Sequence, residues 1–256
     1  NAVLLGKKAY TEYSKYFLTQ KILMLFFGIG FYYLIGFDGI IYGLVLSFVP
    51  YTILIFREFK ETKIDFSLLK TRRGFIVNNY VMGISGRASS TIDKLVIAPL
   101  LGFALLGNYS LALQLFVILL IVPTIIYKYL LPLDSSGVLN KKLRQTTITL
   151  SVGIAVLGIV LFPYVIPNFF PKFIDAIDAI QIMSIAIIPA TITLLYTSKL
   201  LGLEKSKFVL TAQIISASTL IAGFIILGPV FGIMGLASVF VLSVTLEAVL
   251  LLCITK

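Results

Sequence analysis

The sequence predicts an all-α polytopic membrane protein from three observations: an apolar composition, repeated apolar windows of membrane-spanning length, and basic residues confined to alternate connections. Of the 256 residues, 59% are hydrophobic and 12% charged, and the mean hydropathy of +1.05 lies well outside the range of soluble domains. An α-helix needs about twenty apolar residues to cross a hydrocarbon core of roughly 30 Å. Eight such windows are read, at 17–36, 40–57, 75–99, 109–131, 146–166, 176–198, 208–228 and 232–253. The chain opens on Asn1 without the charged, apolar and small-residue pattern of a cleaved leader, and reads as a fragment lacking its own N-terminus.

The connections between the windows alternate in charge. Lys7, Lys8, Lys15 and Lys21 precede or open the first window, and Arg57, Lys60, Lys63, Lys70, Arg72 and Arg73 fill the second connection. Lys128, Lys141, Lys142 and Arg144 fill or flank the fourth, Lys199, Lys205 and Lys207 mark the sixth, and Lys256 ends the chain. The intervening connections near 37–39, 100–108, 167–175 and 229–231 hold one basic residue, Lys172. The positive-inside rule then places both ends in the cytoplasm, so the net charge of +10 is a topology signal, and the plasma (cytoplasmic) membrane is the expected location. No connection is long enough to fold into a basic soluble face, which argues against nucleic acid as a partner.

A single cysteine, Cys253, excludes an internal disulfide, and the absence of histidine removes the commonest metal ligand and general base. No enzyme activity, metal or cofactor is expected. An internal repeat organises the chain. An ungapped shift of 192 residues lays 7–54 over 199–246 and matches Lys7/Lys199, Glu12/Glu204, Ser14/Ser206, Lys15/Lys207, Gly36/Gly228 and Gly43/Gly235. Six windows separate the copies, so they share orientation, the plan of parallel transporter repeats. The eight windows then correspond to spans 5–12 of a two-bundle, twelve-helix protein. This divides the chain into the end of an N-terminal bundle (1–57), a cytoplasmic amphipathic linker (58–74) and a C-terminal six-helix bundle (75–256).

The third window carries the sharpest candidate site, because Arg87, Asp93 and Lys94 interrupt an otherwise uncharged stretch. At roughly 100° per residue, Lys94, Ser90, Thr91, Tyr80 and Gly83 fall near Arg87, with Asn79, Gly86 and Asp93 continuing that side. Val77, Val81, Ile84, Ala88, Ile92 and Leu95 gather opposite. A charge at bilayer depth costs about 2.5–3.5 kcal/mol on insertion scales, so such a face turns toward protein or a water-filled cavity. Arginine grips phosphate with two parallel hydrogen bonds and lysine neutralises it as a point charge. The alternative is a structural ion pair of Arg87 and Lys94 with Asp93 or with a carboxylate on a helix of the missing spans, which as a breakable pair also suits a gate. Glu247 in the last window is the candidate for proton or sodium coupling, while Lys21, Gln114, Gln181 and Gln213 are expected to snorkel or be satisfied by neighbouring helices. Pro50, Pro123 and Pro189 predict kinks.

The run from Ile92-Asp93-Lys94 through Gly102, followed by Gly107-Asn108-Tyr109-Ser110-Leu111-Ala112, resembles the helix-to-helix passage of Wzx-type polysaccharide and oligosaccharide flippases of the multidrug/oligosaccharidyl-lipid/polysaccharide exporter superfamily. The resemblance implies two six-helix bundles forming a V around a cationic cavity that carries a glycan linked to polyprenyl phosphate or diphosphate by alternating access. It also implies membrane lipids, and the polymerase or glycosyltransferases of the same polysaccharide pathway, as partners. Two alternatives stay open: an ion-coupled drug or metabolite exporter of the same fold, which needs an essential membrane carboxylate, and a polyprenyl-phosphate-dependent membrane glycosyltransferase. The latter is expected to carry acidic residues in sizeable outer loops, where this chain offers few beyond Asp38, Asp175 and Asp178.

Overall fold

Glycine and proline decide where this chain stops being straight. The computed structural model describes Leu4, Gly6, 9–52, 55–56, Lys70 and 72–255, and of 85–93 the backbone only. Among the described residues every regular element is helical, and long apolar helices give the multi-pass arrangement of a membrane protein. Three helices are long and apolar enough to cross a bilayer, or five when each of two bent pairs is taken as one span. The outward surface agrees: Phe26, Val160 and Ile226 are 73%, 58% and 66% exposed, which suits hydrocarbon and not water.

The described chain divides into two units at Thr71/Arg72. In the first, α1 (Tyr10–Ile35) turns at Gly36 into α2 (Phe37–Leu46). The two helices pack closely through glycine: a Cβ on Gly43 would lie 2.5 Å from the Gly28 nitrogen. Gln20 is buried and donates through Nε2 to Ser47 Oγ at 3.1 Å, so one polar contact inside the hairpin is satisfied side chain to side chain. The linker expected at 58–74 lies largely outside the described residues.

The second unit begins with α3 (Arg73–Leu101), which turns at Gly102 into α4 (Phe103–Leu119). α5 (Ile121–Ser135) continues α4 after a 50° bend, α6 (Lys141–Phe169) follows, and a 3₁₀ turn at Pro171–Phe173 leads to α7 (Ala176–Ile185). α8 (Ile187–Gly202) continues α7 after a 43° bend. The last element, α9 (Ser206–Thr255), is two arms meeting at Gly232.

The expected proline kinks at Pro123 and Pro189 are present, each three residues after the break, at Leu120 and Ala186. Proline has no N–H for the carbonyl four residues back and its ring crowds that carbonyl, so the preceding turn opens. Pro50 stands in the same relation to the turn at Ser47–Phe48.

Three connections shrink to single glycines: Gly36 (φ 78°, ψ −147°), Gly102 (φ 85°, ψ 166°) and Gly232 (φ 56°, ψ −135°). Residues with a Cβ scarcely populate these conformations. The connection expected at 100–108 is thus reduced to Gly102, and that at 229–231 moves to Gly232. Nothing lies within 4 Å of a Cβ built on Gly102, so Gly102→Ala meets no clash and isolates the backbone term. The variant is expected to lose about 1–3 kcal/mol in detergent unfolding followed by circular dichroism; an unchanged midpoint would mean the turn readily finds another conformation.

The 192-residue shift pairs Gly43 with Gly235, both at close helix–helix approaches, but pairs Gly36 with Gly228 while the bend falls at Gly232. The bends are therefore about one helical turn out of register although the sequences align.

α7 and α8 form the interior strip of the second unit, with α7 against α4, α6 and α9 and α8 against α5, α6 and α9. Their composition explains this. Ala176, Ala179, Ser184 and Thr191 are small and buried, letting neighbouring backbones approach. Gly158 of α6 fits against Ser184 so closely that a Cβ would sit 2.6 Å from its hydroxyl oxygen. Tyr109 and Phe116 of α4 meet Phe224 and Phe240 of α9 edge to face at centroid distances of 5.5 and 4.9 Å.

Candidate functional site

α3 is an uninterrupted helix of 29 residues, so position 87 stands about 21 Å along its axis from Arg73. The side chains of Arg87, Ser90, Thr91 and Asp93 lie outside the described residues, although the backbone carrying them is helical. Of the remaining expected site residues, Lys94 is exposed and Tyr80 is 71% exposed. Asn79 is half-buried and donates through Nδ2 to the Phe75 carbonyl at 2.8 Å, which ties it to its own helix.

The described faces of α3 differ from a simple polar-against-apolar split. The helix packs through Asn79, Met82 and Ile97, whereas Tyr80, Gly83 and Lys94 share an exposed arc with Val77, Ile84 and Leu95. By helical register the backbone position 87 falls between those of Lys94 and Tyr80. Among the described residues, α3 packs on α9 and α4.

Glu247 lies in the second arm of α9, half-buried, with its carboxyl hydrogen-bonded to Ser216 of the first arm. Ser216 Oγ in turn donates to the Ser243 carbonyl at 2.9 Å. Gln213 lies one helical turn before Ser216 and has a buried Oε1 with no hydrogen-bond partner among the described residues. Ser216, Ser243 and Glu247 thus form a polar contact between two apolar arms, a placement that is costly in hydrocarbon unless each group is partnered or hydrated. Gln181, by contrast, is satisfied as expected against a neighbouring helix, donating to the Ile159 carbonyl at 3.1 Å.

The sequence reading missed a buried charged cluster. Asp134, at the end of α5, has a side chain only 1% exposed. Its Oδ2 accepts from Arg144 Nη2 at 2.5 Å and from the Ser198 hydroxyl, while Arg144 Nη1 donates to the Leu195 carbonyl at 2.5 Å. The clamp joins α5, α6 and α8 where the bundle turns toward its lysine-rich side. Gly202 makes room for it, since a Cβ there would lie 2.7 Å from the Asp134 carbonyl carbon. A lone aspartate ten residues before an arginine carries no pattern of its own, and only the fold adds Ser198.

No family model, curated protein or solved structure matches the chain. The chemistry of these side chains, with the motif around Gly102, therefore carries the functional reading. In the structure that motif is a tight passage. Gly102 supplies the turn, Gly107 brings α4 to within 3.4 Å of the Phe173 ring for an added Cβ, and Tyr109 and Ala112 are fully buried.

Proposed function

We propose that the chain is the C-terminal part of a membrane flippase that moves a polyprenyl-linked oligosaccharide or polysaccharide precursor from the inner to the outer leaflet. The reading takes the eight windows as spans 5–12 of two bundles and α3 as the first span of the second bundle. The observation that carries it is α3 itself: a helix with an arginine at mid-length whose backbone position is in register with the exposed Tyr80, Gly83 and Lys94. A diphosphate head group supplies the counter-charge such a position needs, and Arg87 in a water-filled cleft supplies the bidentate grip. The lipid tail stays in the bilayer, and rocking of one bundle against the other carries the head group across without covalent chemistry.

The test is translocation of a fluorescent polyprenyl-diphosphate-linked oligosaccharide in proteoliposomes at matched folded yield. Arg87→Ala is expected to abolish translocation and Arg87→Lys to restore part of it, because a lysine keeps the charge and loses the fork. Retained activity in Arg87→Ala removes the phosphate from this helix. A second reading, an ion-coupled exporter of drugs or metabolites, is favoured by Glu247 beside Ser216. It predicts that Glu247→Gln stops cation-driven export while Arg87→Ala does not, the reverse of the flippase pattern.

A further inference from the structure

The lysine-rich side of the second unit contains a recess that neither α3 nor Glu247 uses. Its volume is about 270 Å³, and Lys141, Arg144, Gln145, Tyr196 and Lys199 supply its polar lining. Leu139 and Ile148 give it an apolar wall, and Leu139 is 52% exposed. The recess sits between the start of α6 and the end of α8, at the edges of the apolar windows 146–166 and 176–198. That is the depth of lipid head groups.

The charges around it do not cancel. Arg144 is matched by Asp134 inside the clamp. Among the described residues, Lys141 and Lys199 have no ion-pair partner, which leaves two positive charges at the mouth. Gln145 and Tyr196 add neutral hydrogen-bond donors. Two ammonium groups, neutral donors and an adjoining apolar wall match an amphiphile with an anionic phosphate head. Basic recesses between helices at the membrane edge take such head groups.

We infer that this recess binds the phosphate of an anionic phospholipid, with the acyl chain lying along the Leu139 and Ile148 side. The inference requires a membrane-embedded bundle and not the flippase reading. Its test measures lipid association and not transport, so either can fail without the other.

The full chain is reconstituted into vesicles of phosphatidylcholine carrying a trace of spin-labelled phosphatidylglycerol or spin-labelled phosphatidylcholine, and the motionally restricted fraction of each is compared. Phosphatidylglycerol is expected to be enriched at the protein. Lys141→Gln/Lys199→Gln is expected to lower that enrichment roughly tenfold to thirtyfold, since a lysine in direct contact with the bound head group contributes about fivefold. Lys205→Gln/Lys207→Gln removes two exposed charges outside the recess and is expected to preserve most of the enrichment. The recess variant keeps the Asp134–Arg144 clamp, and its folding is checked by circular dichroism. Equal association of the two lipids, or equal losses in the two double variants, would overturn the proposal. Complete displacement of phosphatidylglycerol by millimolar inorganic phosphate would overturn the lipid as occupant in favour of free phosphate.

Discussion

Asp134→Ala is expected to destabilise the second unit by about 3–5 kcal/mol, because it leaves a buried arginine without its counter-ion. The Arg144 side chain is only 13% exposed, so water cannot readily replace the lost carboxylate. Ser198 would lose its acceptor at the same time. Ser198→Ala alone is expected to cost nearer 1 kcal/mol, the size of one hydrogen bond whose other partner keeps a strong contact. A double variant, Asp134→Ala with Arg144→Met, is expected to recover much of the loss, since a pair removed together strands no charge. Unfolding in a denaturing detergent series, followed by far-ultraviolet circular dichroism, measures all three. A loss below about 1 kcal/mol in Asp134→Ala would mean that the arginine finds water or another acceptor, and that the clamp is peripheral.

Gly235→Leu is expected to cost about 3 kcal/mol or more, by forcing apart the two arms of α9. A Cβ on Gly235 would lie 2.5 Å from the Leu227 carbonyl oxygen and 3.0 Å from the Phe231 Cβ. The first of these atoms is backbone and has no rotamer to escape into. Two other glycines provide the scale. At Gly228 the nearest atom is the Leu101 Cδ1 at 3.0 Å, the end of a flexible side chain, and at Gly153 nothing lies within 4 Å. The expected order of loss in the same unfolding series is therefore Gly235→Leu, then Gly228→Leu, with Gly153→Leu neutral or stabilising through helix propensity. Any other order would show that the arms separate at little cost.

The helical, membrane-embedded class was legible because composition and window length depend on the solvent the chain must face. Pro123 and Pro189 also announced their bends, since a missing N–H acts locally. The turns were harder. Gly102 is one glycine among 19, and nothing in its neighbours distinguishes the glycine that must adopt φ 85° from Gly107, which serves helix packing. For the candidate site, the α3 register was readable from helical periodicity, yet the actual packing arc through Asn79, Met82 and Ile97 depends on where α9 lies. The Asp134–Arg144–Ser198 clamp was invisible for the same reason: Ser198 is 64 residues from Asp134. Periodicity reports which side of a helix is apolar, whereas partners distant in sequence are set by tertiary packing.

The single-glycine turns at Gly36, Gly102 and Gly232 determine where this polypeptide can be cut or enlarged. A protease needs an extended segment, and an inserted tag or domain needs two free ends that can diverge without pulling a helix open. None of these three turns offers either, because the residues on both sides of each glycine are already helical. The segment Ser136–Asn140, by contrast, lies outside any helix and is exposed. Among the described residues, Ser136–Asn140 can therefore take a change in length, whereas the three single-glycine turns are left to vary by substitution alone.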